Sequence, residues 1–438
     1  MRKLILTIFF ITYILSISFT YGQVTFIGLE TKLTMHPRGS NLLYLNPESQ
    51  IIDNYIYVPT YDGIYRKNLN EINNLDWELY GFKGVPVRDF VKNKSYVLAI
   101  TTKSRDSLIL LSTNDGVSLV NHTSNFFFKY EAVNTIWRVS MNPLNPKSIL
   151  VLHNNYGIAK STDFGNNWTS LNELAGGYQE RFVGFNPDDT TNLFYAGETG
   201  FFQSYTNVSY NNGESWSLTE GINNNSTHYL AFNPTDPNII LAAGEGRISK
   251  SNNKGKTWNL VTLFPDYLYV TKIIFDVANP NIAYATGYLN GKNDSILIYK
   301  SVDAGNSWFR AYKSELEDNG GIIDFQIYQD ILFLITFNKG VYKLDMNYLS
   351  DIEVIHNPEF KIYPNPTSSF LYFESSNKFN EIEVVDLCGK VIKKFNAITE
   401  NKIDLSGLVD GVYFVSFYNI NNLRIKKKIQ IINSTKMF

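Results

Sequence analysis

The stretch "KSTDFGNNWTSL", from Lys160 to Leu171, returns three times further along the chain in closely similar form. The later copies read "VSYNNGESWSL" (208–218), "KSNNKGKTWNL" (250–260) and "KSVDAGNSWFR" (300–310). All four share Ser-x-(Asp or Asn)-x-Gly-x-x-Trp, and their tryptophans are 48, 42 and 50 positions apart. A motif that returns at a spacing of about 40–50 residues predicts a β-propeller, in which each blade is a sheet of about four strands.

The shared positions of the motif suit a hairpin turn. Ser, Asp and Asn side chains bond to nearby backbone amides, Gly permits a positive φ, and Trp covers the turn with an apolar face. We therefore interpret each motif as a structural clip between the two outer strands of a blade, with Asp163 and Asp303 engaged locally rather than in catalysis. The clip positions are Ser161, Asp163, Gly165, Trp168, Ser209, Asn211, Gly213, Trp216, Ser251, Asn253, Gly255, Trp258, Ser301, Asp303, Gly305 and Trp308.

A second repeated element precedes each clip and combines an apolar strand, an Asn-Pro type turn and another apolar strand. The copies read "VSMNPLNPKSILVL" (139–152), "VGFNPDDTTNLFYAG" (183–197), "LAFNPTDPNIILAAG" (230–244) and "IIFDVANPNIAYATG" (273–287). Weaker copies extend the series to about seven blades, although six or eight also fit. The segment "QVTFIGLETKLTM" (23–35) is predicted to supply a closing strand to the last blade, which removes free strand edges.

These paired elements resemble the Asp-box (BNR-type) repeats of sialidase-like, sortilin-type and xyloglucan-hydrolase-type propellers. The resemblance implies an all-β chain with a single propeller over residues 23–355. A net charge of -2, from 39 basic and 41 acidic side chains, gives no field to attract nucleic acid. The single cysteine (Cys388) and five scattered histidines favour neither a metal site nor another cofactor.

The two ends of the chain predict export. Residues 1–22 have the form of a signal peptide, with a membrane anchor as the alternative, and no transmembrane segment is expected in the mature chain. Residues 356–438 alternate apolar and polar residues between glycine turns, which predicts a small β-sandwich. The segments that carry a further resemblance are "YPNP" (363–366), "DLCGK" (386–390), "DLS" (404–406) and "GVY" (411–413).

This module closely resembles the type A C-terminal sorting domain of the type IX secretion system. The resemblance implies that residues 359–433 engage the secretion machinery and a surface sortase, and that the protein is secreted or attached to the outer-membrane surface. The alternative is a carbohydrate-binding or fibronectin-like accessory sandwich. Exposed aromatic side chains would favour that alternative, but here the aromatics mostly alternate as core positions would.

Strand order predicts where a ligand binds. The Pro turns and the clips share one face of the disc, so loops from several blades converge on the opposite face. Aligned inner strands bring aromatic and basic residues to the rim of the channel there, which suits a glycan or protein ligand. The alternative is that these groups only satisfy one another and water. The predicted rim residues are Trp137, Arg138, Arg181, His228, Tyr229 and Arg247.

Two classes of function fit this architecture. The preferred one is a non-catalytic binding or adhesion module for a glycan or a protein. The alternative is a glycoside hydrolase acting on extracellular polysaccharide or sialoglycan, with Glu198 and Glu245 as the candidate carboxylates. A sialidase would need an Arg-Ile-Pro element on its first blade, whereas Arg38 lies in "HPRGS", and a xyloglucan-type hydrolase usually has a second propeller.

Overall fold

The computed structural model of the chain describes residues 24–29, 48–126, 135–153, 157–173, 179–198, 204–222, 226–264, 268–289, 295–315, 321–337, 339–349, 361–374, 379–386, 390–396, 398, 400–418 and 424–433. The predicted signal peptide (1–22) lies outside these residues. No helix long and apolar enough to cross a membrane occurs in the part of the chain so described.

Seven four-stranded antiparallel sheets, numbered here as blades 1 to 7 in chain order, account for residues 25–345. The first strand is β1 (Thr25–Phe26). Blade 1 comprises β2 (Gln50–Ile52), β3 (Tyr55–Thr60), β4 (Gly63–Asn68) and β5 (Glu78–Gly81); blade 2 comprises β6 (Val87–Asn93), β7 (Tyr96–Thr101), β8 (Ile109–Ser112) and β9 (Val120–Asn121); blade 3 comprises β10 (Ile136–Met141), β11 (Ile149–His153), β12 (Gly157–Ser161) and β13 (Thr169–Glu173).

The remaining blades repeat this order. Blade 4 comprises β14 (Gln179–Phe185), β15 (Leu193–Glu198), β16 (Ser204–Ser209) and β17 (Ser217–Leu218); blade 5 comprises β18 (Thr227–Phe232), β19 (Ile240–Gly244), β20 (Arg247–Ser251) and β21 (Asn259–Leu263); blade 6 comprises β22 (Leu268–Phe275), β23 (Ala283–Leu289), β24 (Ser295–Ser301) and β25 (Phe309–Glu315); blade 7 comprises β26 (Ile322–Tyr328), β27 (Ile331–Thr336) and β28 (Val341–Asp345), completed by β1. Short helical turns lie at Leu69–Glu71, Arg105–Ser107, Thr123–Phe126 and Met346–Tyr348.

The first strands of consecutive blades contact one another from blade 2 to blade 7. Blade 1 joins them through β3, which contacts β6, and through β2, which contacts β26, so the blades close into a ring. The prediction of a closing N-terminal strand is confirmed, because β1 pairs with β28 and Thr25 lies opposite Lys343. The indole N–H of Trp77 on blade 1 donates to the carbonyl of Ile27 at 2.7 Å, which fastens this N-terminal segment to the next blade as well. The chain thus closes its ring with backbone hydrogen bonds instead of a disulfide.

Apolar clusters fill the spaces between neighbouring blades. Leu98 of blade 2 packs with Val151 of blade 3, and Phe333 of blade 7 packs with Ile56 of blade 1; all four side chains are buried. Each fully buried aliphatic side chain contributes about 1.5–3 kcal/mol. Strands buried on both faces explain why the sequence of the second strands reads as unbroken apolar runs.

The clips form compact turns immediately before the fourth strand of their blades. In blade 3, Ser161 Oγ accepts the N–H of Gly165 at 2.8 Å, and Asp163 Oδ1 accepts the N–H of Asn167 at 2.8 Å. The equivalent Ser Oγ to Gly N distances are 2.8 Å at Gly213, 2.9 Å at Gly255 and 2.8 Å at Gly305. Burial raises the pKa of Asp163, but hydrogen bonds from Asn167 and Ser161 outweigh it and hold the pKa below its usual value.

Glycine is required in these turns for two reasons. Gly165 has a φ of 84°, a region that L side chains rarely adopt. A Cβ at Gly165 would also lie 2.4 Å from Leu98 Cδ1 on the neighbouring blade, so the turn approaches that blade closely. A fifth turn of the same kind occurs in blade 2, where Ser112 Oγ accepts the N–H of Gly116 at 2.8 Å and Leu119 stands in the place of the tryptophan.

The C-terminal module is a two-sheet sandwich. Its strands are β29 (Lys361–Tyr363), β30 (Phe370–Glu374), β31 (Glu381–Val385), β32 (Val391–Asn396), β33 (Lys402–Asp404), β34 (Gly411–Tyr418) and β35 (Arg424–Ile431). One sheet has the order β29-β30-β33 and the other β32-β31-β34-β35. Leu371, Phe373, Val384 and Phe417 belong to the core between them.

The aromatic side chains of the sandwich differ in part from the prediction that they alternate as core positions. Tyr363, Phe370 and Tyr372 are 45%, 41% and 41% exposed. Tyr363 and Tyr372 face each other across β29 and β30 with their rings 5.9 Å apart and nearly parallel. The reason is the register, because Leu371 and Phe373 already occupy the inward positions of β30 and turn their neighbours outward.

Candidate binding site in the propeller channel

Six of the seven inner strands carry a β-bulge near their beginning. The unpaired residues are Arg88, Trp137, Arg181, His228, Thr271 and Ile323. A bulge inserts one residue into a strand and re-aims the side chains beside it. Because the bulges occupy equivalent places in six blades, they define one layer of side chains around the channel, which we call the bulge layer and which includes the residue that follows each bulge.

Side chains of the bulge layer bond to the inner strand of the next blade. His228 of blade 5 donates from Nδ1 to the carbonyl of Val270 on blade 6 at 3.0 Å, since a carbonyl can only accept. Equivalent bonds run from Thr271 Oγ1 to the Ile322 carbonyl at 3.2 Å and from Arg88 Nη1 to the Ile136 carbonyl at 3.1 Å. At these three places a side chain satisfies a carbonyl on the channel edge of an inner strand, where no neighbouring strand is available.

A charged residue follows the bulge in four of the inner strands, and a fifth charged residue, Glu48, lies just before β2. Lys272 Nζ lies 2.8 Å from Asp324 Oδ1 and 3.5 Å from Glu48 Oε1. Arg138 lies 3.9 Å from Asp89. The Oδ2 of Asp89 also accepts the backbone N–H of Val139 on the next blade at 3.1 Å. Blade 1 has no bulge in its three-residue inner strand, and Glu48, which precedes that strand, supplies its charged side chain to the layer.

Burial shifts the ionisation of this layer. Burial raises the pKa of Asp89 to about 7, against the opposite pull of Arg138. Burial and the nearby Arg181 lower the pKa of His228 to about 3, so its imidazole is neutral. Burial lowers the pKa of Lys272, but the carboxylates of Asp324 and Glu48 outweigh it, and the net shift is upward. Lys272 therefore remains an ammonium at every physiological pH.

A cavity of about 560 Å³ lies in the channel beneath the bulge layer. Asn93, Asn142 and Pro143 line its mouth, so it opens towards the face that carries the Pro turns. Lys272, Tyr229 and Glu48 line its inner end. This is the face opposite to the one on which the sequence predicted ligand binding.

The structure brings most of the predicted rim residues into the bulge layer. Arg138 lies close to Asp89, and Tyr229 donates to Glu48 Oε1 at 3.2 Å and lines the cavity. Arg181 and His228 are only 4% and 7% exposed, so they offer little surface to a ligand, and His228 bonds to the next blade instead. Trp137 lies beneath the guanidinium of Arg88, 5.0 Å from its ring centre, in the same layer.

The remaining predicted positions lie away from this layer. Arg247 begins β20, beyond the short loop that follows β19. Glu245 forms an isolated bridge with Tyr269, whose ring lies parallel to that of Tyr288 at 5.1 Å. Glu198 ends β15, and its side chain lies outside the described part of the structure. Within the described residues, no group of three or more His, Cys, Asp or Glu side chains could hold a metal ion.

Sequence reasoning missed Glu48, Asp89 and Asp324. Asp89 and Asp324 occupy the position after the bulge, as Arg138 and Lys272 do, in the strands "VRDF" and "IIDF". An alignment that included blades 2 and 7 would have found both carboxylates. Glu48 precedes a strand of three residues that carries no repeat motif, and no comparable signal marks it.

Comparison with known proteins supports the two-module organisation. A family described as the secretion system C-terminal sorting domain matches residues 361–432. A stretch of 165 residues is 26% identical to a probable oligoxyloglucan-reducing end-specific xyloglucanase of Neosartorya fischeri, covering 33% of this chain and 19% of that protein. The chain therefore spans about a fifth of the length of this curated relative.

Solved structures similar to the chain are propellers. YCF48 bound to D1 peptide has a TM-score of 0.51 at 14% identity, covering 70% of this chain and 94% of that one. The GH74 xyloglucanase from Xanthomonas campestris has a TM-score of 0.53 at 13% identity, covering 90% of this chain and 59% of that one. At these identities the likeness shows the fold alone. The chain is an all-β protein in which a propeller precedes a type IX sorting domain, and that domain directs it to the cell surface or the extracellular space.

Proposed function

We propose that the propeller is a non-catalytic binding module for a glycan or a protein, displayed on the cell surface or released from it. The observation that carries the proposal is the lining of the channel cavity. Among its described lining residues, Glu48 is the only acidic one, and Lys272 and Tyr229 already contact its Oε1. A glycosidase of the usual kind needs two carboxyl groups flanking the scissile bond.

The other charged residues of the layer fit the same interpretation. Asp324 accepts from Lys272 and from Ser49, and Asp89 accepts from two backbone N–H groups, so both carboxylates are held by fixed donors. Neither carboxylate lines the cavity, so neither is placed to act on a ligand bound there. The single-propeller architecture points the same way, because the chain covers 94% of the peptide-bound YCF48 but only 59% of the xyloglucanase.

The Asp-box type of propeller and the signal peptide belong to this proposal. The clip turns have the hydrogen bonds that the motif predicts, which supports the resemblance to Asp-box repeats. A signal peptide at 1–22 would deliver the chain to the sorting machinery that residues 361–432 address.

A glycoside hydrolase is the second candidate, and the similarity to a xyloglucanase favours it. Its candidate carboxylates, Glu198 and Glu245, lie on adjacent blades at the face opposite the cavity mouth. The two candidate functions therefore use opposite faces of the propeller, so substitutions on one face should affect one function and leave the other unchanged.

Binding is tested by applying the full secreted chain to glycan and protein arrays. We expect a retained ligand, and we expect Ser140→Phe, which fills the cavity, to weaken retention. Glu78→Gln, on the outer strand of blade 1, serves as the matched control that leaves retention unchanged. Arrays that retain nothing would contradict the proposal, and retention unaffected by Ser140→Phe would remove the cavity from it.

A further inference from the structure

An aliphatic pair of side chains recurs where one blade packs against the next. Ile248, on the third strand of blade 5, lies in one apolar cluster with Val270, the residue before the bulge of blade 6. The residues of such a pair are 1% exposed or less. Equivalent pairs are Ile298 with Ile322 between blades 6 and 7, and Ile109 with Ile136 between blades 2 and 3.

The boundary between blades 4 and 5 has threonine at both of these places. Thr206 holds the third-strand position on β16, and Thr227 precedes the bulge of β18. Both side chains are 0% exposed, and β16 contacts β18. Ser204 lies two residues before Thr206 on the same face of β16, where blade 6 has the buried Ile296. Hydroxyl groups therefore replace aliphatic groups in the interior of the ring, and we call Ser204, Thr206 and Thr227 the hydroxyl seam.

The hydroxyls of the seam have no hydrogen-bond partner within the described residues. This holds for Oγ of Ser204, Oγ1 of Thr206 and Oγ1 of Thr227. Thr286 and Thr336 are also fully buried, but each donates to a backbone carbonyl at 2.7 Å. Buried polar groups are rarely left unpaired, because giving up water without gaining a hydrogen bond is costly. The seam is therefore expected to hold a partner for its hydroxyls.

The side chains of the seam are smaller than their counterparts between blades 6 and 7. Ser204 and Thr206 replace two isoleucines, and Thr227 replaces a third. Smaller side chains leave room between the two blades, and the hydroxyls line that room. A buried water needs about two to four polar partners and makes about three hydrogen bonds, which the seam can supply.

We propose that the hydroxyl seam binds ordered water, with at least one molecule bonded to both Thr206 and Thr227 and so joining blade 4 to blade 5. Water donates and accepts at once, so it can pair with several hydroxyls together. A bridging water of this kind is nearly as favourable as a direct hydrogen bond. The site is separate from the channel cavity, because none of the three seam residues lines that cavity.

A high-resolution crystal structure of the full secreted chain tests the site directly. We expect a water oxygen within hydrogen-bond distance of both Thr206 Oγ1 and Thr227 Oγ1. A direct bond between the two hydroxyls, or an apolar contact with no solvent between them, would overturn the proposal.

Threonine-to-valine substitutions test the site in solution, because they remove a hydroxyl and keep the shape of the side chain. In Thr206→Val the water loses a partner, so the unfolding equilibrium constant from urea titration should rise about fivefold. Thr227→Val should have a similar effect. Thr169→Val, at an exposed position of β13, is the matched control and should change the constant by no more than about twofold.

The direction of the effect separates a hydrated seam from a dry one. In a dry seam the hydroxyls are unpaired, and valine at either position would stabilise the chain. Stabilisation by Thr206→Val or by Thr227→Val would therefore overturn the proposal.

The double variant shows whether the two threonines share a molecule. If one water bridges them, Thr206→Val combined with Thr227→Val should raise the unfolding constant by less than the product of the two single effects. Single effects that simply multiply would show two independent hydroxyls and would exclude the bridge.

Discussion

The carboxylate of Asp324 on blade 7 accepts a hydrogen bond from the backbone N–H of Ser49 on blade 1, at 2.6 Å and across 275 residues of sequence. The same carboxylate binds Lys272 of blade 6. Three blades therefore meet at one buried group at the point where the ring closes. At the outer edge, β1 completes blade 7. The ring is therefore closed both beside the channel and at its periphery.

Removing this carboxylate should destabilise the propeller. Asp324→Ala leaves the ammonium of Lys272 buried with a weaker partner, and we expect a loss of about 3–5 kcal/mol in the free energy of unfolding. Urea unfolding measures it. The control is Glu78→Gln, which breaks an exposed pair with Arg66 and should cost about 1 kcal/mol or less. Equal effects of the two substitutions would contradict the role assigned to Asp324.

The clips predict a contrast between neighbouring substitutions. Asp163→Asn should change stability by less than about 0.5 kcal/mol, because Asn already stands at positions 211 and 253 in equivalent turns. Gly165→Ala should cost about 2–4 kcal/mol, because it combines a positive φ with a clash against Leu98. Thermal or urea unfolding of both variants decides this, and a tolerated Gly165→Ala would show that the turn is not as tight as described.

Two buried groups of the bulge layer predict opposite pH dependences. Asp89 has a pKa raised to about 7, above its unfolded value of about 3.9, so its contribution to stability is lost as pH rises through 7. His228 has a pKa lowered to about 3, below its unfolded value of about 6.5, so its contribution is lost as pH falls below 6.5. Between about pH 4 and 6.5 the two groups therefore change the free energy of unfolding in opposite directions as the pH changes.

Substituting one of the two groups should reveal the pH dependence of stability that comes from the other. Asp89→Asn removes the contribution of Asp89, so between pH 6.5 and 4.5 this variant should lose about 2 kcal/mol of stability relative to the parent chain. His228→Gln removes the contribution of His228, so over the same interval this variant should gain about 2 kcal/mol relative to the parent chain. Urea unfolding at both pH values gives the slopes, and identical slopes in the two variants would refute the assignment.

The exposed aromatics of the sandwich separate sorting from carbohydrate binding. Tyr372→Ser removes a side chain that is 41% exposed, and we expect stability to change by no more than about 0.5 kcal/mol. If residues 361–432 only direct export, any glycan retained by the intact chain should be retained equally by this variant. Loss of retention in Tyr372→Ser with retention kept in Ser140→Phe would favour the accessory-sandwich alternative.

The repeat architecture could be predicted from the sequence because the chemistry of each turn is local. Ser161, Asp163, Gly165 and Trp168 lie within eight residues and specify one hairpin by themselves. The blade period follows from counting such hairpins. The closing strand could be predicted for a related reason, since a β-sheet ring without disulfides needs a partner for its last edge.

The channel could not be predicted in the same way. Its residues come from inner strands of every blade, and the bulge residues Arg88, Trp137, His228 and Thr271 share no residue type. What they share is a place in a hydrogen-bond register, which only the paired strands reveal. The cavity, its face and the role of Glu48 therefore depend on the three-dimensional arrangement.

The central claim, that the propeller binds and does not hydrolyse, is tested most directly by mass spectrometry of xyloglucan oligosaccharides and a sialoside incubated with the full secreted chain. The account predicts that every oligosaccharide is recovered intact, while a ligand from the arrays is still retained by the same preparation. Cleavage products that disappear in Glu245→Gln, but persist in Ser140→Phe, would contradict it and place a hydrolytic site on the opposite face of the propeller.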